Sequence, residues 1–213
     1  MFESLRKTIE AFHHSPIRQE RLKTLDALAE YVSNSIKERG QCNLLFVCTH
    51  NSRRSQMAQV WGQALAHYFR LPVKCSSGGT EETAFYRGAV NALEKCGFEI
   101  ETLDPEARNP VYQIHYAEGA TPIRAWSKKY DEAIGAPGTF AAVMTCSHAD
   151  ENCPYIPGAA MRISLHYHDP KDHDGQPSEQ EAYIRTCKLF GSELYYVFQK
   201  SHQDLNRQTD TKT

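Results

Sequence analysis

The chain has no long apolar run and no marked excess of charge of either sign. None of its hydrophobic runs approaches the roughly 20 residues that a helix needs to cross a bilayer, so we expect no membrane-spanning segment. Its 213 residues include 26 acidic and 24 basic side chains, for a formal net charge of -2. This balance argues against a nucleic-acid partner, because proteins that bind nucleic acids carry a strongly basic surface.

The seven cysteines cannot all be paired in disulfides, because their number is odd. The N-terminal stretch carries Glu3 and Glu10 and lacks the apolar core of a secretory signal. We therefore expect a cytoplasmic protein whose cysteines are thiols, since structural disulfides are rare in reducing compartments. A disulfide in such a protein is transient, and transient disulfides usually indicate redox chemistry.

The chain also lacks internal repeats and low-complexity tracts, and it divides into three parts. Residues 1–40 are predicted to form an N-terminal helical extension, whose second helix begins at the Ser15-Pro16 pair and ends at Gly40. We expect this extension to pack on the main domain or on a second copy of the chain, which would give a homodimer. Residues 41–203 form the predicted main domain, and residues 204–213 a frayed tail.

In the main domain, short apolar runs alternate with segments of helical periodicity. The predicted strands and helices, in chain order, are 44–47, 55–69, 73–77, 84–96, 140–145, 162–165 and 178–200. This alternation indicates an α/β sandwich with right-handed crossovers between parallel strands. Residues 102–137 do not follow the pattern and fit either a β-hairpin that turns at Glu118-Gly119 or an irregular surface excursion.

The stretch LLFVCTHNSRRSQMA places a cysteine where a buried strand ends and two arginines where a helix begins. Cys48, five intervening residues, Arg54 and Ser55 make a C-x5-R-S pattern. The loop amides can curl around an oxyanion, and the N-terminus of the helix adds partial positive charge. Such a site also favours a thiolate, which makes Cys48 the candidate nucleophile. Arg54 supplies a planar, two-pronged donor for two oxygens of the transition state.

The other residues of this loop are candidate binding groups for the oxyanion. They are Thr49, His50, Asn51, Ser52, Arg53 and Ser55. Ser55 can donate its hydroxyl to the Cys48 sulfur, and Asn51 tolerates the positive φ that a tight anion loop tends to require. The alternative is purely structural, a small buried cysteine at a strand end with surface arginines beyond it.

The segment VCTHNSRRSQMAQVW resembles the signature of the low-molecular-weight protein tyrosine phosphatase superfamily, which includes thioredoxin-coupled arsenate reductases. The resemblance implies an α/β three-layer sandwich with a central four-stranded parallel sheet, Cys48 as nucleophile and Arg54 as oxyanion clamp. Two residues depart from the family pattern. His50 replaces the usual glycine and narrows or decorates the loop, and Arg53 replaces the usual cysteine and adds positive charge at the mouth.

A second motif, HYHDPKDHDG, supplies a candidate acid. Asp169 before Pro170 resembles the Asp-Pro of the family's acid loop, which implies that Asp169 protonates the departing oxygen. Proline restrains the preceding residue to an extended backbone, and this helps to aim the carboxylate at a separate cup. Asp172 and Asp174 are rival candidates, and a solvated acidic turn is the structural alternative.

We predict no metal site and no tightly bound cofactor. His166, His168 and His173 lie near the acid motif, but no partner set at a structural zinc spacing accompanies them. In some relatives a glutamate of the first helix after the loop helps to bind a monovalent cation. Gln59 occupies that position here, so we expect no strong cation site. A phosphate, sulfate or arsenate ion is the expected occupant of the loop.

Cys146 and Cys153 lie seven residues apart in VMTCSHADENCPYIPG, after a predicted strand. This pattern resembles the C-S-x-A-D-x-x-C-P segment of thioredoxin-coupled arsenate reductases. The resemblance implies a relay in which Cys48 attacks arsenate, Cys146 attacks the resulting adduct, and Cys153 then attacks Cys146. The last disulfide is left for thioredoxin. The sequence therefore predicts an arsenate reductase with thioredoxin as its electron donor.

Two other functions stay open at this point. A phosphatase acting on phosphotyrosine or another phosphoprotein would use Cys48, Arg54 and Asp169, with the other two cysteines as redox protection. A non-catalytic oxyanion sensor would bind without turnover and signal through the N-terminal helices. The remaining cysteines are interpreted as packing residues, namely Cys42, Cys75, Cys96 and Cys187.

Overall fold

The structure is a computed structural model that describes residues 1–134, 139–152 and 155–209, with side chains up to residue 207. Its helices are α1 (Glu3–Phe12), α2 (Gln19–Arg39), α3 (Arg54–Tyr68), α4 (Arg87–Lys95), α5 (Tyr130–Ile134), α6 (Ser147–Asn152) and α7 (Glu179–Thr209). Its strands are β1 (Cys42–Cys48), β2 (Val73–Gly79), β3 (Glu99–Thr102), β4 (Tyr112–His115), β5 (Ile123–Ala125), β6 (Phe140–Met144) and β7 (Ala159–Ser164). A short 3₁₀ helix, Pro170–His173, precedes α7.

The centre of the protein is a four-stranded parallel sheet in the order β2-β1-β6-β7. Alternate residues of β1 face opposite sides of this sheet. Leu44 and Phe46 join the large core formed with α3 and α7, whereas Leu45 and Val47 join a smaller cluster with α5 and α6. Helices therefore cover both faces, which explains why the strand is almost continuously apolar. The predicted three-layer α/β sandwich is confirmed.

Residues 102–137 contribute to a second, antiparallel sheet in the order β3-β4-β5. Strands β4 and β5 form a hairpin, and Gly119 in their connection has a φ of 68°. The hairpin alternative is therefore the correct one for this part of the chain. Strand β3 escaped prediction because Glu99–Thr102 is short and only half-buried, so it carries no continuous apolar run.

Helix α2 begins later than the Ser15-Pro16 pair predicted. Its N-cap is Arg18, which has an extended backbone and makes no capping bond with its side chain. The Ser15 hydroxyl instead donates to the carbonyl of Ala11, on α1, at 3.5 Å. The predicted end is confirmed, because Gly40 is the C-cap with a φ of 72° and its N–H donates to the Ile36 carbonyl.

The N-terminal extension packs on its own main domain, where α1 and α2 both contact α7. The apolar face of α2 is fully buried at Leu25 and Leu28, and the Ser201 hydroxyl of α7 donates to the Ala29 carbonyl at 3.0 Å. A homodimer through this extension stays a prediction. Helix α7 continues to Thr209, past the predicted domain end at residue 203, and residues 210–213 lie outside the described part of the chain.

Among the described residues, no helix combines the length and apolar character that crossing a bilayer requires.

Candidate active site

The loop that follows β1 is held against the segment that follows β2. The carbonyls of Cys48 and Thr49 accept from the N–H groups of Thr80 and Glu81 at 3.3 and 2.8 Å, and the Ser52 carbonyl accepts from Tyr86. Because these carbonyls are used on one side, the loop can present amides on the other. This is the arrangement that a cup for an oxyanion requires.

Asn51 fixes the shape of this loop from the inside. Its backbone has a φ of 45°, as the sequence predicted, and its side chain is fully buried. The side-chain Nδ2 donates to the hydroxyls of Ser55 and Ser77 at 2.8 and 2.9 Å. Its Oδ1 accepts from the backbone N–H of Lys128 and from Nε2 of Gln56, both at 3.0 Å. A single amide thus ties the loop to three other elements of the chain.

Cys48 is the last residue of β1, and its sulfur lies 3.1 Å from the Ser55 hydroxyl oxygen. That oxygen accepts a hydrogen bond from Asn51, and its own hydrogen can point at the sulfur. A donated O–H stabilises a thiolate over a thiol. The Cys48 side chain is 3% exposed, so its reactive surface is limited to the mouth of the loop.

Arg54 is the first residue of α3, and it meets the predicted acid. Its Nη1 donates to the Tyr167 carbonyl at 3.2 Å, and its Nη2 forms a short ion pair with the Asp169 carboxylate. Asp169 has an extended backbone before Pro170, as predicted. The structure therefore brings the predicted clamp and the predicted acid together. The rivals lie elsewhere, because Asp172 is exposed and Asp174 binds a different arginine.

That arginine is Arg53. The sequence predicted that its positive charge would lie free at the mouth of the loop, but the structure pairs it with other groups. Its Nη2 donates to the Asp174 carboxylate at 2.6 Å and its Nε donates to the Tyr183 hydroxyl at 2.5 Å. Its guanidinium also lies 4.1 Å from the centre of the Tyr86 ring. The paired carboxylate offsets the charge, so the expectation of extra positive charge at the mouth is wrong.

His50 and Thr49 occupy the outer side of the loop. The His50 Nε2 lies 3.3 Å from a carboxylate oxygen of Glu81, and both side chains are largely exposed. The Thr49 hydroxyl lies 3.2 Å from Nδ1 of His148 and 3.5 Å from the sulfur of Cys146. Thr49 is thus the direct link between the loop of Cys48 and the second candidate thiol.

Cys146 follows β6 at the same edge of the sheet and is 1% exposed. Its sulfur accepts from the backbone N–H of Ala149 at 3.4 Å, inside the first turn of α6. Helix α6 is tethered through Asp150, whose carboxylate accepts from the Ser164 hydroxyl at 2.5 Å and lies 2.7 Å from Nε2 of His166. Cys153, the third predicted thiol, lies outside the described residues.

Two buried polar residues near the loop, Ser77 and Lys128, were missed from the sequence. The Gln59 side chain accepts from the Ser77 hydroxyl at 2.6 Å, so it belongs to the network of Asn51 rather than standing alone. Lys128 is 5% exposed, and burial lowers the pKa of its amine to about 8. Its amine lies 4.1 Å from the centre of the Trp126 ring. Ser77 lies beside the paired glycines that end β2, and this is the sequence signal that could have identified it.

No family model matches the chain. An arsenate reductase from Halalkalibacterium halodurans is 27% identical to it over 150 residues, which cover 68% of this chain and 86% of that protein. The chain is therefore similar to arsenate reductases. This similarity confirms the resemblance to arsenate reductases that the sequence indicated.

The solved structures that are similar to this chain include two with different functions. A low-molecular-weight phosphotyrosine phosphatase from Vibrio cholerae has a TM-score of 0.47 and 19% identity, covering 76% of this chain and 97% of its own. A thioredoxin-dependent arsenate reductase from Corynebacterium glutamicum has a TM-score of 0.41 and 19% identity, covering 92% and 84%.

Proposed function

We propose that the protein reduces arsenate to arsenite, with Cys48 as the nucleophile and thioredoxin as the electron donor. The curated relatives that the chain resembles are arsenate reductases, which supports this proposal. The observation that carries the choice of a reductase is the place of Cys146. Its sulfur lies 3.5 Å from the hydroxyl of Thr49, the residue next to Cys48. A phosphatase needs one thiol at this edge of the sheet, and a reductase needs a second one beside it.

In the first step, the Cys48 thiolate attacks arsenic and a sulfur–arsenic bond forms. One oxygen of arsenate leaves as water after Asp169 gives it a proton. Arg54 and the loop amides hold the remaining oxygens, where negative charge develops. Because Arg54 contacts Asp169, the acid lies on the same side of the cup as the clamp.

The oxygens of arsenate compete with two protein acceptors for Arg54. Nη1 donates to the Tyr167 carbonyl and Nη2 pairs with Asp169, so binding of the oxyanion exchanges at least one of these contacts. Exchange of the Asp169 contact releases the carboxylate next to the bound arsenate, where it takes up from solvent the proton that it then gives to the departing oxygen. Oxyanion binding and the aiming of the acid are therefore coupled through one guanidinium.

In the second step, the Cys146 thiolate attacks the sulfur of Cys48. The sulfur–arsenic bond breaks and its electron pair stays on arsenic, which leaves as arsenite, while a Cys48–Cys146 disulfide forms. Cys153 then attacks Cys146, which restores the Cys48 thiolate and creates a Cys146–Cys153 disulfide. The dithiol of thioredoxin reduces that disulfide and supplies the two electrons that arsenate consumed.

The relay requires helix α6 to move. Bridged cysteines have Cα atoms about 4.4–6.8 Å apart, and the residues between Cys146 and Cys153 form a helical turn. The Asp150 carboxylate holds that turn to Ser164 and His166. These polar contacts are exposed or half-buried, so breaking them is less costly than opening an apolar core.

Hydrolysis of a phosphate monoester, such as phosphotyrosine, is the second candidate function. The contact between Arg54 and Asp169 favours it as much as it favours arsenate reduction, because both reactions expel an oxygen that needs a proton. In this reaction, Cys48 forms a cysteinyl phosphate that water then hydrolyses. Cys146 and Cys153 have no role in that chemistry, and this is the difference that an experiment can use.

The test measures both activities side by side on the purified protein. Arsenate reduction is followed as NADPH oxidation with thioredoxin and thioredoxin reductase, and hydrolysis is followed with p-nitrophenyl phosphate. We expect arsenate-dependent NADPH oxidation that Cys48→Ser abolishes. Cys146→Ser should release at most one arsenite per chain, whereas Cys75→Ser, in β2, serves as the matched cysteine control and should turn over normally.

Three results would contradict the proposal. Sustained arsenate turnover in Cys146→Ser would rule out the relay. Aryl-phosphate hydrolysis that persists without Cys146 and Cys153, together with no arsenate reduction, would select the phosphatase. Stabilisation by arsenate or phosphate without any product in either assay would instead indicate an oxyanion sensor.

A further inference from the structure

Arg21, near the start of α2, connects the N-terminal extension to the segment that carries Asp169. Its Nε and Nη2 donate to both carboxylate oxygens of Glu193 on α7, at 2.9 and 2.7 Å. Its Nη1 donates to the His166 carbonyl at 2.9 Å. The Arg21 side chain is 14% exposed and that of Glu193 is 2% exposed. A two-pronged ion pair this well buried fixes the guanidinium in one orientation.

The peptide that Arg21 holds lies between β7 and the acid. The Tyr167 N–H donates to the Thr145 carbonyl at 3.1 Å, and the Tyr167 carbonyl accepts from Arg54 at 3.2 Å. The guanidinium of Arg21 also lies 4.8 Å from the centre of the Tyr167 ring. Arg21 and Arg54 therefore hold two successive carbonyls of one short segment, and the second arginine also contacts the Asp169 carboxylate.

This segment has space into which it could shift. A cleft of about 600 Å³ adjoins it, and its lining includes Arg18, Tyr167, Asp169 and Arg185. The position of a segment beside an open cleft depends on the hydrogen bonds that restrain its backbone. The bond from Arg21 to the His166 carbonyl is such a restraint, and it comes from a helix outside the predicted main domain.

We propose that Arg21 is a positioning residue for the acid loop, through which the N-terminal extension sets the aim of Asp169. Arg21 acts through His166 and Tyr167. This inference rests on the proposed function in one respect, because it takes Asp169 as the general acid of the reaction. The extension is then part of the working enzyme, and α2 contributes to catalysis as well as to packing.

The chain offers a matched control for this proposal. Asp26 and Lys200 form another ion pair between α2 and α7, at 2.7 Å, with side chains 42% and 38% exposed. The Asp26 carboxylate also accepts from the Tyr196 hydroxyl. This pair joins the same two helices but lines a different cleft from the one beside Asp169. Its removal tests helix packing without touching the acid loop.

The test variant is Arg21→Met combined with Glu193→Leu, because removing one partner alone would leave a buried charge unpaired. Hydrogen–deuterium exchange of residues 165–172 should become faster in this variant and stay unchanged in Asp26→Asn/Lys200→Met. We expect the kcat for arsenate reduction to fall about tenfold, since a misplacement of about 1 Å can cost up to about 10²-fold. The KM for arsenate should change by less than about threefold, because the cup itself is untouched.

A double-mutant cycle with Asp169→Asn separates positioning from general destabilisation. If Arg21 acts by aiming Asp169, the same pair of substitutions should lower kcat by less than about twofold once Asp169 has been replaced. An equal tenfold loss in both backgrounds, or exchange of residues 165–172 no faster than in the control, overturns the inference. A wild-type protein with no arsenate turnover refutes the proposed function instead, and the exchange measurement then decides the inference by itself.

Discussion

Arg53 and Arg54 are neighbours in the chain, carry the same charge, and have side chains that are 13% and 14% exposed. Each pairs with an aspartate of the segment after β7. Their surroundings nevertheless differ. Arg53 lies between two tyrosines and Asp174, whereas Arg54 contacts a backbone carbonyl and Asp169. The comparison teaches that burial and charge do not assign a role to an arginine, and that its partners do.

The difference follows from where each residue lies on the chain. Arg53 is the N-cap of α3, with φ of -131° and ψ of -81°, and Arg54 is the first residue of the helix. Successive side chains at such a position leave the backbone in different directions. One guanidinium is thus directed to the tyrosines of α7 and of the segment before α4. The other is directed to the acid loop.

The largest expected effect comes from exchanging each arginine for lysine. Arg54→Lys should lower the kcat for arsenate reduction by about 10²–10³-fold, because an ammonium cannot supply two parallel donors to the transition state. Arg53→Lys should lower it by less than about threefold. Steady-state kinetics on both variants checks this, and equal losses would show that both arginines serve the cup.

Replacing Asp169 should lower kcat more than replacing Asp174, but the difference should be smaller than the one between the two arginines. Asp169→Asn should lower kcat by about 10²-fold, the lower end of the range for a general acid, because an amide cannot deliver the proton. Asp174→Asn should leave kcat within about threefold of the wild type, since it binds Arg53 and Tyr183. Measuring both variants with saturating arsenate tests this, and a large loss in Asp174→Asn alone would reverse the assignment of the acid.

The effect on the free energy of unfolding should have the opposite order from the effect on kcat: replacing Arg53 should cost more than replacing Arg54. Arg53→Met should lower the free energy of unfolding by about 2–3 kcal/mol, because it removes the ion pair with Asp174, the donor to the Tyr183 hydroxyl and the contact with the Tyr86 ring. Arg54→Met should cost less than about 1 kcal/mol, since Asp169 borders an open cleft and can be solvated. Urea unfolding of both variants measures the difference, and similar midpoints would remove the distinction between a structural and a functional arginine.

The smallest expected effect is a pH dependence that belongs to the Arg53 cluster. Burial raises the pKa of Tyr183 above its ordinary value of 10, the hydrogen bond to Asp174 raises it further, and Arg53 opposes both. The neutral phenol therefore stabilises the fold fully below pH 10, and this contribution is lost as the pH rises above 10, where an unfolded tyrosine ionises first.

The wild type should accordingly lose stability relative to Tyr183→Phe above pH 10, by up to roughly 1.4 kcal/mol per pH unit. Urea unfolding of both proteins at pH 8 and pH 11 measures this difference, with Tyr155→Phe, at a largely exposed tyrosine, as the control. A constant difference between the two pH values would show that Tyr183 ionises as readily in the folded protein as in the unfolded one.

The sequence was sufficient for the parts of the site that lie close together in the chain. The apolar run before Cys48 and the C-x5-R-S pattern predict a strand, a loop and a helix, and the structure has β1, the loop and α3 at these residues. The positive φ of Asn51 was predictable because few residue types adopt it. The extended backbone of Asp169 was predictable from Pro170.

Contacts between distant parts of the chain were not predictable in the same way. The pairing of Arg53 with Asp174 and Tyr183 joins residues far apart in sequence, and neither residue type by itself indicates a partner. The start of α2 was misplaced because Ser15-Pro16 has the local features of a helix start, although the Ser15 hydroxyl bonds back to α1. Local patterns specify elements, whereas packing decides which partners those elements meet.

The last residue of β2 has a consequence for the reactive loop that no charge or hydrogen bond explains. A methyl group at Gly79 would come within 2.6 Å of the Thr49 carbonyl oxygen and 2.8 Å of the Asn51 nitrogen, closer than real carbon atoms approach. The gap between this strand and the Cys48 loop is therefore narrower than one alanine side chain. Any side chain at residue 79 would displace the loop that forms the oxyanion cup, so the dimensions of the cup depend on the absence of a Cβ atom in the neighbouring strand.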